Sequence, residues 1–330
     1  MKTTASKRFD WLIMLSLFLF LGCDSNRIPN TPKTGSSYTK VVERLGIEGE
    51  WEMAARIAAM ELQNLELNFE NELFFLFALG DNYRFLEKYE LSERYFKEVI
   101  AHPVSLKYPE YRGEAFYGLG DLYYIKWGYF KEEEALEMAE MFLDSSMAIA
   151  RTNNLQALES KNLYRSGSIL QIQGEHDLSI ANFRRGLEIS FAIADTAGMI
   201  RNDVHKAAEL ERQGLLDSAL FHDSRSYQYA KKQNRNYSEA HSLCNLGQFY
   251  FNLDQLDSAE HYFIKAEFLS EELNQGIVLC RSYYNLCRFY SKTGNIDLSK
   301  KYWNNGLSIA KEKGYKNFED AFTTLGDKIF

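Results

Sequence analysis

The sequence predicts an all-α protein: a solenoid of about seven helix pairs finished by a C-terminal capping helix. Three observations carry that expectation. A turn residue recurs every forty positions, at Gly174, Gly214, Asp254 and Gly294. Small residues keep the same step at Ser179, Ala219, Ala259 and Ser299, and again at Gly186, Ser226, Ala266 and Gly306. Only 4 prolines interrupt 330 residues, which leaves room for long helices. Self-similarity at a fixed period of this length is the mark of stacked helical units that bury their faces on one another.

At the N-terminus, Lys2, Lys7 and Arg8, with Asp10 intruding, precede the apolar run "WLIMLSLFLFL" of residues 11–21. That run is shorter than the ~20 residues needed to cross a bilayer. It ends in "FLGC" and a polar, proline-containing stretch, and so resembles a bacterial lipoprotein signal. The resemblance implies a signal peptide over 1–22, a lipidated (palmitate-bearing) Cys23 and a flexible tether over 23–36. Phe20 and Leu21 depart from the usual Leu and Ala or Ser before the cysteine, so secretion in soluble form stands as the alternative. The expected location is a membrane-anchored lipoprotein facing the periplasm or cell surface.

The solenoid is expected over 37–314, with units starting near 35, 73, 113, 160, 200, 240 and 280, and the capping helix over 315–330. The first unit is degenerate, with Gly49, Trp51, Ala54 and Ala58 in its second half. In the later units Gly167, Ala207, Gly247 and Cys287 are followed by Leu170, Leu210, Tyr250 and Tyr290. Small residues recur where helices cross closely, and large apolar ones fill the groove beside them. Asp177, Asp217, Asp257 and Asp297 fall at helix starts, where a carboxylate meets free N–H groups and the positive end of the dipole. Asn154, Asn234, Asn274 and Gly314 fall where a helix ends in the left-handed conformation.

The third unit is out of step. Its second-helix columns, Ala139, Leu143, Ser146 and Ala150, keep phase with later units, but its first helix lies seven residues early. Because "FKEEEALEMAEMFLDSSMAIA" reads as one helix, the surplus is expected as two extra turns at that helix's start. Trp127, Tyr129 and Phe130 there are either a docking knob or a cover for the next pair. Cys244, Cys280 and Cys287 form no CxxC pair and have no zinc-ligand spacing, so they read as small packing residues.

Leu243, Leu246-Gly247, Tyr250, Ala259 and Phe263 resemble the tetratricopeptide repeat family, and Leu76, Leu79-Gly80, Tyr83 and Phe116, Leu119-Gly120, Tyr123 repeat the motif's start. The forty-residue period resembles the long-helix variety found in bacterial peptide sensors and kinesin light chains. The resemblance implies a right-handed superhelix whose first helices line a concave groove. By that register, groove-facing residues include Phe77, Asp81, Arg84, Tyr117, Asp121, Tyr124, Lys161 and Gln171. The partner-binding positions expected among the later units are Tyr164, Arg201, His241, Asn245, Gln248, Asn252, Arg281, Tyr284, Asn285, Arg288 and Lys292. Arg281, Arg288 and Lys292 with Tyr284 suit an acidic or C-terminal carboxylate group. The family's chaperone-tail carboxylate clamp does not carry over, since Val204 and Ala208 stand where it needs Lys and Asn.

A net charge of −8 with acids spread along the chain leaves no basic face for nucleic acid. The four phased aspartates each belong to their own unit and cannot converge on one atom. The 6 histidines make no HExxH, and there is neither a phosphate loop nor a GxSxG elbow. No catalytic residue, metal or cofactor is therefore expected. The expected function is a membrane-anchored scaffold that binds a protein or peptide in its groove. The alternative is a ligand-sensing regulatory module acting through a separately encoded effector; a glycan-binding lipoprotein is less favoured, because such proteins carry long non-repeat loops.

Overall fold

The computed structural model describes residues 35–330; the signal-type segment, Cys23 and the tether up to 34 lie outside the described residues. Among the described residues fifteen α-helices follow one another, with a short 3-10 turn at Ser105–Lys107. They form seven pairs: α1 (Gly35–Glu48) with α2 (Trp51–Glu61), α3 (Phe69–Phe85) with α4 (Tyr89–Ala101), α5 (Pro109–Phe130) with α6 (Ala135–Thr152), and α7 (Gln156–Gln173) with α8 (His176–Ala192). Next come α9 (Thr196–Arg212) with α10 (Leu216–Lys232), α11 (Asn236–Asn252) with α12 (Leu256–Leu273), and α13 (Gly276–Lys292) with α14 (Ile296–Lys313). A last helix, α15 (Lys316–Ile329), covers the final pair. The described residues form an all-helical repeat solenoid.

The columns are crossing points. A Cβ on Gly247 would meet the Phe263 ring at 2.4 Å, and one on Gly167 would meet the Phe183 ring at 2.7 Å. Both phenylalanines are buried. The hydroxyls of Ser92, Ser179 and Ser299 donate to the carbonyls of Gly80, Gly167 and Cys287 at 2.7, 2.9 and 2.9 Å. In these three pairs the second helix is thereby stitched to its own first helix at the same level. The three cysteines are buried and free, as packing residues should be.

The turns behave as their residues predict. Gly174, Gly214, Asp254 and Gly294 have φ of +84°, +77°, +60° and +82°, and the next N–H reaches back to the carbonyl of Leu170, Leu210, Tyr250 or Tyr290 at 2.9 Å. That contact satisfies a carbonyl the helix end would leave orphaned. Asn154, Asn234, Asn274 and Gly314 likewise take φ between +48° and +72°.

The third unit is a correction. The surplus lengthens the end of α5, a 22-residue helix, and not the start of α6. Lys131 adopts φ +58° and breaks the chain before α6 begins at Ala135. Three successive glutamates, Glu132 to Glu134, stay outside the helix.

The solenoid also meets itself. The end of α3 touches the turn into α13: Gln275 donates to the Phe85 carbonyl, and the Ile277 N–H donates to Glu87 Oε1 at 3.3 Å. Lys313 Nζ pairs with Glu87 at 3.0 Å. Trp51 stacks on Phe85 at 5.1 Å, and both rings meet the edge of Tyr237, at 6.1 and 5.2 Å. A second contact joins the end of α5 to α15. There Tyr129 stacks on Phe318 at 5.6 Å, Phe130 meets Tyr315 and Tyr89 edge-on at 5.5 Å each, and Lys131 pairs with Asp320. These residues lie nearly two hundred positions apart, so one superhelical turn returns the chain to its start. The groove becomes a cavity.

Candidate functional site: a self-closed cavity

First helices line this cavity, whose volume is about 820 Å³. The forty-residue step places equivalent residues on its wall: Ala157, Ala197, Tyr237 and Ile277 from the first turns of α7, α9, α11 and α13, and Lys161, Arg201, His241 and Arg281 one turn on. Trp51, Phe85, Tyr117, Tyr124, Tyr129 and Tyr164 add aromatic surface.

On one wall, from α3, α5 and α7, every cation has a carboxylate partner. Arg84 Nη1 reaches Asp121 at 2.8 Å, its Nη2 reaches Asp81 at 2.6 Å, and Arg165 also pairs with Asp121. Burial works to raise the Asp121 carboxyl, but Arg165 and Arg84 outweigh it and hold the group below its ordinary value. Lys161 Nζ donates to both oxygens of Glu114 at 2.6 and 2.7 Å. The Arg165 guanidinium lies 4.2 Å from the Tyr124 ring centre and 4.8 Å from that of Tyr164.

The facing wall, from α9, α11 and α13, is not matched in this way. It carries Arg201, Arg235 and Arg281 with the single lining carboxylate of Asp195. Arg281 donates to two neutral acceptors, His241 Nδ1 at 3.3 Å and the Asn245 side-chain oxygen. Burial, helped by Arg165 and then Arg281 at His205 and by Arg281 at His241, pushes both imidazoles down to about 3, so both are uncharged at neutral pH. Behind this wall, Asn245 donates to Asp223 at 3.3 Å, and burial lifts that carboxyl to about 7.

Of the residues the sequence singled out, Tyr164, Arg201, His241, Asn245 and Arg281 line the cavity together. The expected groove residues Phe77, Asp81, Arg84, Tyr117, Asp121, Tyr124, Lys161 and Gln171 line it as well, whereas Gln248, Asn252, Tyr284, Asn285, Arg288 and Lys292 lie off it. Arg288 donates to Gln248 at 2.8 Å, Gln248 to Asn252 at 2.6 Å, and Asn252 to Glu211 at 2.6 Å, forming a polar ladder between units. Lys292 pairs with Asp254 at 2.7 Å, Asn285 is buried, and Tyr284 meets Phe322 edge-on at 5.6 Å. The aromatics read as a docking knob or a cover are used internally: Trp127 packs on Tyr124 at 6.3 Å, while Tyr129 and Phe130 hold the capping helix. An extended α5 turns them inward, so they cover α15 and not the next pair.

Arg165, His205, Arg235, Tyr237 and Trp51 were missed. The first two share a forty-residue column with Asn245 and Asn285, and that column was the available signal. Arg235 and Tyr237 sit at the start of α11, and only the superhelical closure brings Trp51 beside them. Among the described residues, no three His, Cys, Asp or Glu side chains are placed to hold a metal ion, and no helix is long and apolar enough to cross a membrane.

Residues 240–269 match the tetratricopeptide repeat family. No curated protein matches the sequence. Several solved structures share the fold. A Rap protein complexed with Competence and Sporulation Factor aligns over 87% of this chain and 80% of its own, with TM-score 0.62 and 15% identity. NprR in complex with its cognate peptide NprX aligns over 89% and 82%, with TM-score 0.57 and 15% identity. Aspartyl phosphate phosphatase F from Bacillus subtilis aligns over 90% and 80%, with TM-score 0.51 and 17% identity. The paired helices and these shared architectures give the described residues the fold of a helical-repeat solenoid, in which residues 240–269 match the tetratricopeptide repeat.

Proposed function

We propose that the protein binds a peptide, or a peptide segment of a protein, inside the self-closed cavity. The observation that carries this is the cavity's make-up: about 820 Å³ walled by aromatic rings, with amides, imidazoles and guanidinium groups turned inward. Concave, mainly apolar sites of this size with a few placed polar groups are where small ligands bind. Two architecturally similar proteins carry support, one crystallised with Competence and Sporulation Factor and one with a cognate peptide. Binding, and not catalysis, is the activity inferred, because none of the cavity's side chains is set as a nucleophile beside a base.

Panning a random peptide library on the full chain tests this. Enriched peptides that bind the wild type and lose affinity for Tyr164→Ala support it; enrichment failing while a glycan array gives saturable binding favours the glycan alternative. A second reading, a ligand-sensing module acting through a separate effector, draws on the closing contacts at Glu87 and Tyr315. A ligand that prefers one arrangement of such contacts shifts the whole solenoid. Anchoring through a lipidated Cys23, outside the described residues, completes the proposal. Palmitate labelling that disappears in Cys23→Ala checks it.

A further inference from the structure

The cavity's two walls differ in how their cations are matched. On the α3–α5–α7 wall every cation has its carboxylate within hydrogen-bonding distance. On the α9–α11–α13 wall Arg201 reaches Asp195 only at 3.5 Å; its Nε is buried with no hydrogen-bond partner, as are those of Arg84 and Arg165, so what sets this wall apart is the missing carboxylates. The Nε of Arg235 is also buried and unpartnered, and among the described residues this side chain forms no ion pair. Arg281 is held by neutral groups alone. Buried guanidinium donors that find no acceptor are costly, and native chains satisfy nearly all of them.

Charge adds to the geometry. Burial and the neighbouring Arg201 together lower the proton affinity of Arg235. Asp223 brings little relief, since burial keeps its carboxyl near half-protonated at neutral pH. Three arginines face one lining carboxylate in a chain whose net charge is −8.

Resting on the peptide reading, we propose that this wall is the subsite for a carboxylate of the bound ligand, gripped by Arg201 and Arg235 with Arg281 beside them. The planar guanidinium fork matches a carboxylate in bidentate fashion. The ligand carboxylate joins Asp195 as a counter-ion, and the Nε donors of Arg201 and Arg235 gain an acceptor. The Trp51, Phe85 and Tyr237 rings at the adjoining seam give the ligand an apolar neighbour to the acid. The carboxylate comes from a C-terminus or from an Asp or Glu side chain, and the two sources separate experimentally.

The test is calorimetric titration of the full chain with hexapeptides of one aromatic–aliphatic core. They carry a free C-terminus, an internal glutamate, or neither (C-terminal amide and glutamine). At least one acidic form is expected to bind about tenfold tighter than the neutral one, and which form does so names the source. In the Arg201→Gln, Arg235→Gln double variant that preference vanishes, while neutral-peptide affinity changes less than about threefold. Should the double variant fail to fold, Arg201→Lys keeps the charge, loses the fork and is expected to shrink the preference. Equal binding of acidic and neutral peptides, or an undiminished preference in the double variant, overturns the subsite and leaves peptide binding standing. N-acetylglycine, a carboxylate without a peptide core, supplies the converse arm through melting temperature. If it stabilises the wild type but not the double variant while no hexapeptide binds, the subsite stands and the peptide reading fails. If it stabilises neither and no hexapeptide binds, both fail.

Discussion

Replacing Glu87 with lysine attacks the seam at its most exposed dependence on a single side chain. The Glu87 carboxylate is 6% exposed, accepts from the Ile277 N–H and pairs with Lys313 at 3.0 Å, while Lys313 itself is 37% exposed. Position 87 already holds φ +58° without glycine, so lysine adds little backbone strain that glutamate lacks. The variant loses a charge-assisted acceptor, strands a buried N–H and sets two ammonium groups face to face. Breaking a fully buried pair costs about 3–5 kcal/mol and an exposed pair under about 1, so a half-open site points to ~2–3 kcal/mol. Contacts between neighbouring units do not involve the seam, and in a solenoid stability is a sum of such local terms. The expected response is therefore opening with little unfolding. Far-ultraviolet dichroism stays unchanged at 20 °C, while small-angle scattering shows a radius of gyration above the ~19–20 Å of a compact chain of this length. Peptide affinity falls with it. An unchanged radius alongside an unchanged melting temperature would refute the claim that Glu87 holds the cavity shut; loss of helicity in step with expansion would refute the solenoid's local additivity.

Three further expectations follow from other parts of the molecule. Gly247→Ala drives a Cβ to 2.4 Å from the Phe263 ring and is expected to cost about 1–3 kcal/mol, whereas Gly128→Ala has open space around it and gains up to ~1 kcal/mol of helix propensity; denaturant midpoints separate the two. Asp223 has its folded pKa raised by burial to about 7 from an ordinary 3.8, so the native state binds the extra proton and stability falls as pH rises between those values. Asp223→Asn should equal the wild type near pH 4 and exceed it by up to a few kcal/mol, as an order of magnitude, at pH 8; a difference independent of pH would show that the carboxyl is not held protonated. Arg235→Gln removes a cation that lies beside Arg201 with no ion pair, so the ligand-free protein is expected to melt at the same temperature or slightly higher, measured by calorimetry. A clear drop in melting temperature would make Arg235 a structural residue.

The repeat was legible because each unit solves the same packing problem. Gly167 and Gly247 must be small where Phe183 and Phe263 cross, and Gly174, Gly214, Asp254 and Gly294 must turn left-handed, so residue type and period agree. The α5–α6 boundary was not legible, because Lys131 takes the left-handed position that glycine or asparagine marks elsewhere. The site was half legible. Arg201, His241, Asn245 and Arg281 follow from the groove register, but that register runs on past the cavity into Gln248, Asn252 and Arg288, which are linked to one another, and Lys292, which pairs with Asp254. What divides the two sets is the seam, set by Gln275 meeting Phe85 and Tyr129 meeting Phe318. Those contacts depend on small rotations added up over five units, and no local pattern encodes that sum.

The central claim, that the ligand site is the inside of the closed solenoid, is tested most directly by placing a photo-crosslinking phenylalanine at Tyr164 in the cavity wall or at Phe268, a 62% exposed position of α12. With a binding peptide from the library, light is expected to yield a covalent adduct from position 164 that excess unlabelled peptide suppresses, and none from position 268. Adducts from position 268 alone, or equally from both, would contradict the account.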